Sequence, residues 1–312
     1  MLFRSNKSKG NHIITSKIEH PAILNTCKEL EKEGFQVTFL NVDENGLISL
    51  EELRNSITDK TILITIMFAN NEIGTIEPIE EIGKIAKENK IYFHTDAVQA
   101  VGNINIDVKK LNIDLLSMSA HKFYGPKGVG VLYVKTGVNL QKIQDGGHQE
   151  RNKRAGTENI AGIVGMGKAI ELAYENIEIY NKKLTELRDY YISKVEEKIP
   201  NVKLNGDRVK RLPGNANISF SFIEGESLLL NLDMKNICAS SGSACTSGSL
   251  DPSHVLLAIG LPHETAHGSL RITIGDENTK EDIDYLIENL IEIVNKLREM
   301  SPLYEDYINS NK

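Results

Sequence analysis

Apolar residues along this chain arrive in short runs, separated by segments with helical spacing. The run at 61–68, TILITIMF, is continuous and rich in β-branched residues, the pattern of a strand buried on both faces. Shorter runs at 12–15, 36–40, 91–94, 114–119 and 130–134 read as further strands. Helical patterns lie between them. Residues 21–33 open on Pro21, a residue favoured in the first turn of a helix. Residues 49–55 form a second pattern, and residues 78–89 a third, with Ile79, Ile82 and Ile85 on one face. This alternation predicts an α/β fold with a mostly parallel central sheet and helices on both faces.

The helical pattern resumes over 158–198, with a bend or break predicted near Gly162, Gly165 and Gly167. Past Pro200 the character changes. Strands at 216–222 and 269–274 interleave with helices near 225–233 and 252–259. A last helix is predicted over 280–299, where Thr279 and Asp282 have the spacing of a capping box. The patterns place residues 1–179 in a large α/β domain and residues 180–312 in a smaller α+β domain.

Composition narrows the function classes. The 312 residues carry a formal net charge of −7, which gives no reason to expect direct nucleic-acid binding. The three cysteines, Cys27, Cys238 and Cys245, are too few and too scattered for a disulfide framework or a zinc site, and they suit a reducing cytoplasm. The chain holds no apolar run long enough for a membrane helix, and its first ten residues lack the apolar stretch of a signal peptide.

Three residues attract attention on chemical grounds. Lys122 follows a predicted buried strand, so it stands at the carboxyl end of a sheet, where α/β folds bind ligands. It reads either as a solvated loop lysine or as an amine forming a Schiff base with an aldehyde cofactor. Asp96 follows strand 91–94 and reads either as a helix cap or as the carboxylate that keeps a pyridine nitrogen protonated. Cys245 lies in a run of small residues from Ala239 to Ser249. A thiol there is accessible, whereas Cys27, in an amphipathic helix, and Cys238, after Ile237, read as core. Two further signals are weaker. The glycine-rich 125–130 segment reads as a tight turn between strands, and His148 lacks partners at metal-ligand spacing.

Blocks in order along the chain resemble those of the NifS/IscS class of cysteine desulfurases, within the class V aminotransferase family. They include Thr15-Ser16-Lys17-Ile18-Glu19-His20, Asn70-Asn71-Glu72-Ile73-Gly74-Thr75, Thr95-Asp96-Ala97-Val98-Gln99, Ser119-Ala120-His121-Lys122, Arg154-Ala155-Gly156-Thr157, Gly225-Glu226-Ser227, Ser241-Gly242-Ser243-Ala244-Cys245 and Ser269-Leu270-Arg271-Ile272. The resemblance implies a pyridoxal 5'-phosphate-dependent transferase of fold type I. In it Lys122 binds the cofactor and moves protons, His20 stacks on the ring and assists, and Asp96 pairs with the ring nitrogen. Asn71 and Gln99 lie near the ring hydroxyl, and Ser119 and His121 hold the phosphate. Thr157 reaches the cofactor of a partner subunit in a homodimer, Arg271 clamps the substrate carboxylate, and Cys245 accepts sulfur from L-cysteine as a persulfide, releasing L-alanine.

The resemblance further implies delivery of that sulfur to an acceptor or Fe–S scaffold protein, or to thio-cofactor or tRNA thiolation. No resident metal is implied, only a transient contact of Cys245 with an Fe–S cluster. The family's N-terminal quarter, with a phosphate-cradling turn, has no counterpart in these 312 residues. The chain therefore reads as a fragment, a late start or half of a split protein, with weakened cofactor binding. Two alternatives stand beside the desulfurase: a non-catalytic remnant of the family, and a selenocysteine lyase or other class V relative.

Overall fold

Thr61–Thr65, the first part of the long apolar run, is a strand buried at every position. The rest of the run leaves the sheet yet stays buried, because Ile66 N and Phe68 N continue to donate to His94 O and Asp96 O. The computed structural model describes residues 2–241 and 252–310. The chain divides into two units, Met1–Asn41 with Ile48–Asn70 and Glu77–Ile177, and Val42–Leu47 with Asn71–Ile76 and Glu178–Lys312.

The first unit contains α1 (Leu2–Ser5), β1 (His12–Ser16), α2 (Pro21–Lys32), β2 (Gln36–Leu40), α3 (Leu50–Ser56), β3 (Thr61–Thr65), α4 (Ile79–Glu88), β4 (Tyr92–Asp96) and β5 (Leu115–Ser119). A one-turn 3-10 helix (Ala120–Phe123), β6 (Gly130–Val134), α5 (Gln149–Asn152) and α6 (Ile160–Glu175) complete it. Its sheet runs β2-β1-β3-β4-β5-β6. All neighbours are parallel except β5 and β6, which form an antiparallel pair. The carboxyl ends of β1 to β5 therefore share one edge.

Buried hydroxyls and a histidine tie the inner strands together. His94 Nδ1 lies 2.7 Å from Thr65 Oγ1 and its Nε2 lies 2.9 Å from Ser117 Oγ, bridging β3, β4 and β5. Burial lowers the His94 pKa to about 4 and keeps the ring neutral. On α4, Ile79, Ile82 and Ile85 are buried as their spacing predicts.

The 158–198 region departs from the expected break at its glycines. α6 runs unbroken through Gly162, Gly165 and Gly167, and the interruption falls at Asn176, before α7 (Ile177–Lys198). The reason is close packing. A Cβ on Gly162 would meet Val129 Cγ2 at 2.4 Å, and one on Gly165 would meet Pro126 Cγ at 2.7 Å. These glycines let the helix approach the β5–β6 turn.

The second unit takes α7 from its second residue, then β7 (Val202–Leu204), β8 (Asn215–Phe220), α8 (Gly225–Asp233), α9 (His254–Ala258), α10 (His263–His267), β9 (Ser269–Thr273), α11 (Lys280–Glu299) and α12 (Pro302–Ser310). The antiparallel sheet β7-β8-β9 shares a core with α7, α8 and α11, including Tyr191, Val195, Phe220, Leu228, Leu290 and Val294. The capping box at the start of α11 is present, with Thr279 and Asp282 each bonded to the other's main-chain nitrogen. Residues 42–47 and 71–76 join this unit through main-chain bonds such as Leu212 N to Gly74 O at 2.9 Å and Ile76 N to Lys210 O at 2.9 Å.

Candidate active site

The carboxyl edge of the first unit's sheet gathers several of the candidate residues. His20 caps α2, its Nδ1 accepting from Ala22 N at 3.2 Å. Its ring proton therefore sits on Nε2. The preceding residue, Glu19, is fully buried. Its Oε1 accepts from Met67 N and from Ser16 Oγ, both at 2.8 Å. Ile18 O accepts from Asn70 Nδ2 at 2.9 Å. These bonds lock the turn after β1 onto the end of β3. Burial pushes the Glu19 carboxyl up to about 8, and the negative fields of Asp96 and Glu77 add to the rise.

Asp96 is the last residue of β4 and is buried. Its Oδ1 accepts from Val98 N at 3.0 Å, a contact that closes the turn after β4, where the expected helix does not form. Burial raises its pKa, while the Val98 bond and the nearby His20 oppose that rise. Gln99 lies half-buried three residues on.

Lys122 sits in the 3-10 turn that leaves β5. Ala120 and Phe123 are buried, which anchors the turn and leaves His121 and Lys122 exposed. Ser119 Oγ lies 2.8 Å from His121 Nδ1. The chain then reverses through Tyr124, in the left-handed region at φ 63°, and enters β6. Thr157 is exposed in the loop before α6, where Arg154 Nη1 donates to Gly156 O at 2.9 Å.

In the second unit, Arg271 lies on β9 and is half-buried. Its Nη1 donates to Asn71 O at 2.8 Å and its Nε to Ser240 Oγ at 3.0 Å. The grouping of Asn71 with this unit differs from its place in a 1–179 domain, and follows from the main-chain pairing of residues 71–76 described above.

The cysteines divide three ways. Cys27 is buried, and burial pushes its thiol up to about 12, which removes it as a nucleophile. Cys238 is exposed, contrary to the expected core position. Ile237 and Ala239 on either side pack against the core, while Cys238 between them stays exposed. Cys245 lies outside the described residues. His148 pairs with Asn152, and among the described residues no group of three metal-ligating side chains occurs. No helix among them is long and apolar enough to cross a membrane.

Sequence reasoning assigned nothing to Glu19, His94 or Glu72. An acidic residue beside an isoleucine, as in Ile18-Glu19 and Glu72-Ile73, is the signal that could have found two of them.

Comparison with known proteins adds three relatives. The sequence profile of the Aminotransferase class-V family matches residues 1–286. A protein named cysteine desulfurase IscS from Clostridium botulinum is 66% identical over 310 residues, spanning 99% of this chain and 78% of that protein. A solved structure titled NifS-like protein superposes with a TM-score of 0.88 at 37% identity, covering 95% of this chain and 78% of that one. Another, titled SspA in complex with cysteine, gives a TM-score of 0.76 at 38% identity, covering 89% and 77%.

Proposed function

Since this chain belongs to the class V aminotransferase family, we propose that it is a pyridoxal-phosphate-dependent cysteine desulfurase working on L-cysteine. The observation that carries the reading is the shared sheet edge on which His20, Asp96, Ser119, His121 and Lys122 follow one another at the ends of β1, β4 and β5.

That edge fits pyridoxal 5'-phosphate by the chemistry of its donors. Asp96 offers a buried carboxylate to a pyridinium nitrogen. Ser119 and His121, already paired, offer a hydroxyl and an imidazole to a phosphate. Lys122 offers an exposed amine, and His20 a ring with its proton on Nε2. Gln99 and Asn71 supply amides for the ring hydroxyl, and Thr157 serves the cofactor of a partner subunit. When bound, the cofactor withdraws electrons from the substrate's Cα. Lys122 holds or moves a proton at that carbon, and His20 assists. Arg271 presents a guanidinium suited to a bidentate grip on the substrate carboxylate. Cys245 Sγ takes the sulfur: the substrate's Cβ–S bond breaks, an S–S bond forms at Cys245, and L-cysteine leaves as L-alanine.

The persulfide then serves an acceptor or Fe–S scaffold protein in a reducing cytoplasm. Exposed apolar side chains on α6, Ile160, Ile163 and Val164, and on β6, Val131 and Leu132, support a homodimer. The test is to supply pyridoxal phosphate and L-cysteine, then measure alanine and the mass of the Cys245 peptide. Alanine with a Cys245 persulfide is expected. Cofactor-dependent loss of cysteine without alanine would overturn the reading.

A further inference from the structure

Interior strands of a mostly parallel sheet are usually apolar on both faces. β3, β4 and β5 depart from that along one row. His94 on β4 lies between Thr65 on β3 and Ser117 on β5, with Nδ1 2.7 Å from Thr65 Oγ1 and Nε2 2.9 Å from Ser117 Oγ. A neutral imidazole donates once and accepts once, and a hydroxyl can do either, so both contacts are satisfied together. The ring joins three strands by side-chain bonds, in addition to their main-chain ladder.

This row lies just behind the candidate residues of the carboxyl edge. Successive residues of a strand face opposite sides, so His94 and Asp96 share a face of β4, and Ser117 and Ser119 share a face of β5. Asp96 is the register partner of Ser117. Main-chain bonds frame the same point. Ile66 N donates to His94 O at 3.2 Å, Phe68 N to Asp96 O at 2.8 Å and Ala97 N to Ser117 O at 3.0 Å. Ser119 then opens the turn that carries Lys122. Ser117 is thus bonded to His94 through its side chain and opposite Asp96 in the ladder, shortly before that turn.

We infer that His94 is a positioning residue for the cofactor: by gripping Ser117 from the strand that ends in Asp96, it holds the Asp96 carboxylate at a fixed place relative to the Lys122 turn. This rests on the reading of the edge as a pyridoxal phosphate site, in which Asp96 meets the ring nitrogen and Lys122 binds the aldehyde. Those two groups of the cofactor stand at opposite ends of one rigid ring, so the carboxylate and the amine must be spaced to match it. They come from different strands, and the imidazole is a side-chain tie between those strands. A misplacement of about 1 Å in such an arrangement can cost about a hundredfold in rate. Burial keeps the His94 ring neutral, so it brings no positive charge to compete for Asp96.

The experiment uses the full chain supplied with pyridoxal phosphate and the variants His94→Leu, His94→Gln, Ser117→Ala and Asp96→Asn. Each of the first three is also combined with Asp96→Asn. Leucine removes both contacts of the ring, and glutamine keeps a donor and an acceptor. Ser117→Ala removes only the β5 contact and leaves the ring on Thr65, so it carries the test if His94→Leu does not fold. Cofactor Kd, the visible spectrum of the bound cofactor, the single-turnover rate of alanine formation from L-cysteine and the melting temperature are read for each. His94→Leu and Ser117→Ala are expected to weaken cofactor binding about tenfold and to slow alanine formation about ten- to a hundredfold. His94→Gln is expected to restore most of both. In the Asp96→Asn background the same substitutions should change either quantity by no more than about twofold, because the carboxylate they position is gone.

Equal losses with and without the Asp96 carboxylate would overturn the inference, since His94 would then support the sheet without acting through Asp96. So would His94→Leu and Ser117→Ala proteins that melt earlier but keep the parent's affinity and rate. A parent chain that binds the cofactor and forms no alanine would sink the desulfurase reading alone, and the affinity comparison across the two backgrounds would still decide the role of His94.

Discussion

Ser119 Oγ lies 2.8 Å from Nδ1 of His121, so the hydroxyl and imidazole that flank Ala120 are already joined at the foot of the turn carrying Lys122. In the proposed function this pair is the group that binds the cofactor phosphate. Ser119→Ala should remove one donor and leave His121 without its partner. A hydrogen bond to a charged group is worth about 1.5–3 kcal/mol, so cofactor affinity should fall about ten- to a hundredfold. Fluorescence titration with pyridoxal phosphate reads this directly, and an unchanged Kd would place the phosphate elsewhere.

Lys122 is the exposed amine of that turn. Lys122→Ala should abolish borohydride-fixable attachment of the cofactor and alanine production, while the melting temperature stays close to that of the parent, because Ala120 and Phe123 anchor the turn. Peptide mapping after reduction is the check. Label on another lysine of the parent chain would show the assignment to be mistaken.

Cys27 is buried with its thiol held protonated, and Cys238 is exposed. Cys245→Ser should therefore retain the cofactor's absorbance and lose persulfide, with none appearing on Cys27. A persulfide found on Cys238 in this variant would transfer the role to that exposed thiol.

Glu19 gives a pH dependence with a definite sign. Its pKa is raised from 4.5 to about 8, chiefly by burial. The protonated form suits the fold, so its contribution to stability is fully present below about pH 4.5 and is lost as pH rises through about 8. Asp96 and Glu77 face it and add to the effect. Glu19→Gln, which keeps an acceptor for Met67 N and Ser16 Oγ, should match the parent at about pH 5 and exceed it in urea midpoint at about pH 9. Parallel pH profiles of parent and variant would mean that Glu19 is already ionised in the folded protein.

Much of this site was legible because its residues stand where strands end. Asp96 and Lys122 were found because each follows a predicted strand: β5 ends at Ser119 as expected, while β4 runs on two residues past the expected His94 and takes in Asp96 itself. Thr279 and Asp282 marked the start of α11 for a similarly local reason. What escaped depends on contacts between residues distant in sequence. Gly162 and Gly165 look like helix breakers, yet they are spacers against Val129 and Pro126. Cys238 looks like core beside Ile237, yet it is exposed between two residues that pack inward. Glu72 could not be connected to Ser253 across 181 positions by any local pattern.

The strand order of the first unit also bears on how the chain is made. β2 and β3 flank β1, and from β4 onward each strand is added beside the one translated before it. Among the described residues, each strand of this sheet from β2 onward thus meets a strand that precedes it in the chain. Short pairing distances of this kind favour rapid assembly. The sheet that carries His20, Asp96 and Lys122 can form progressively on the nascent chain, with β6 as its final growing edge, before the second unit's strands have been translated.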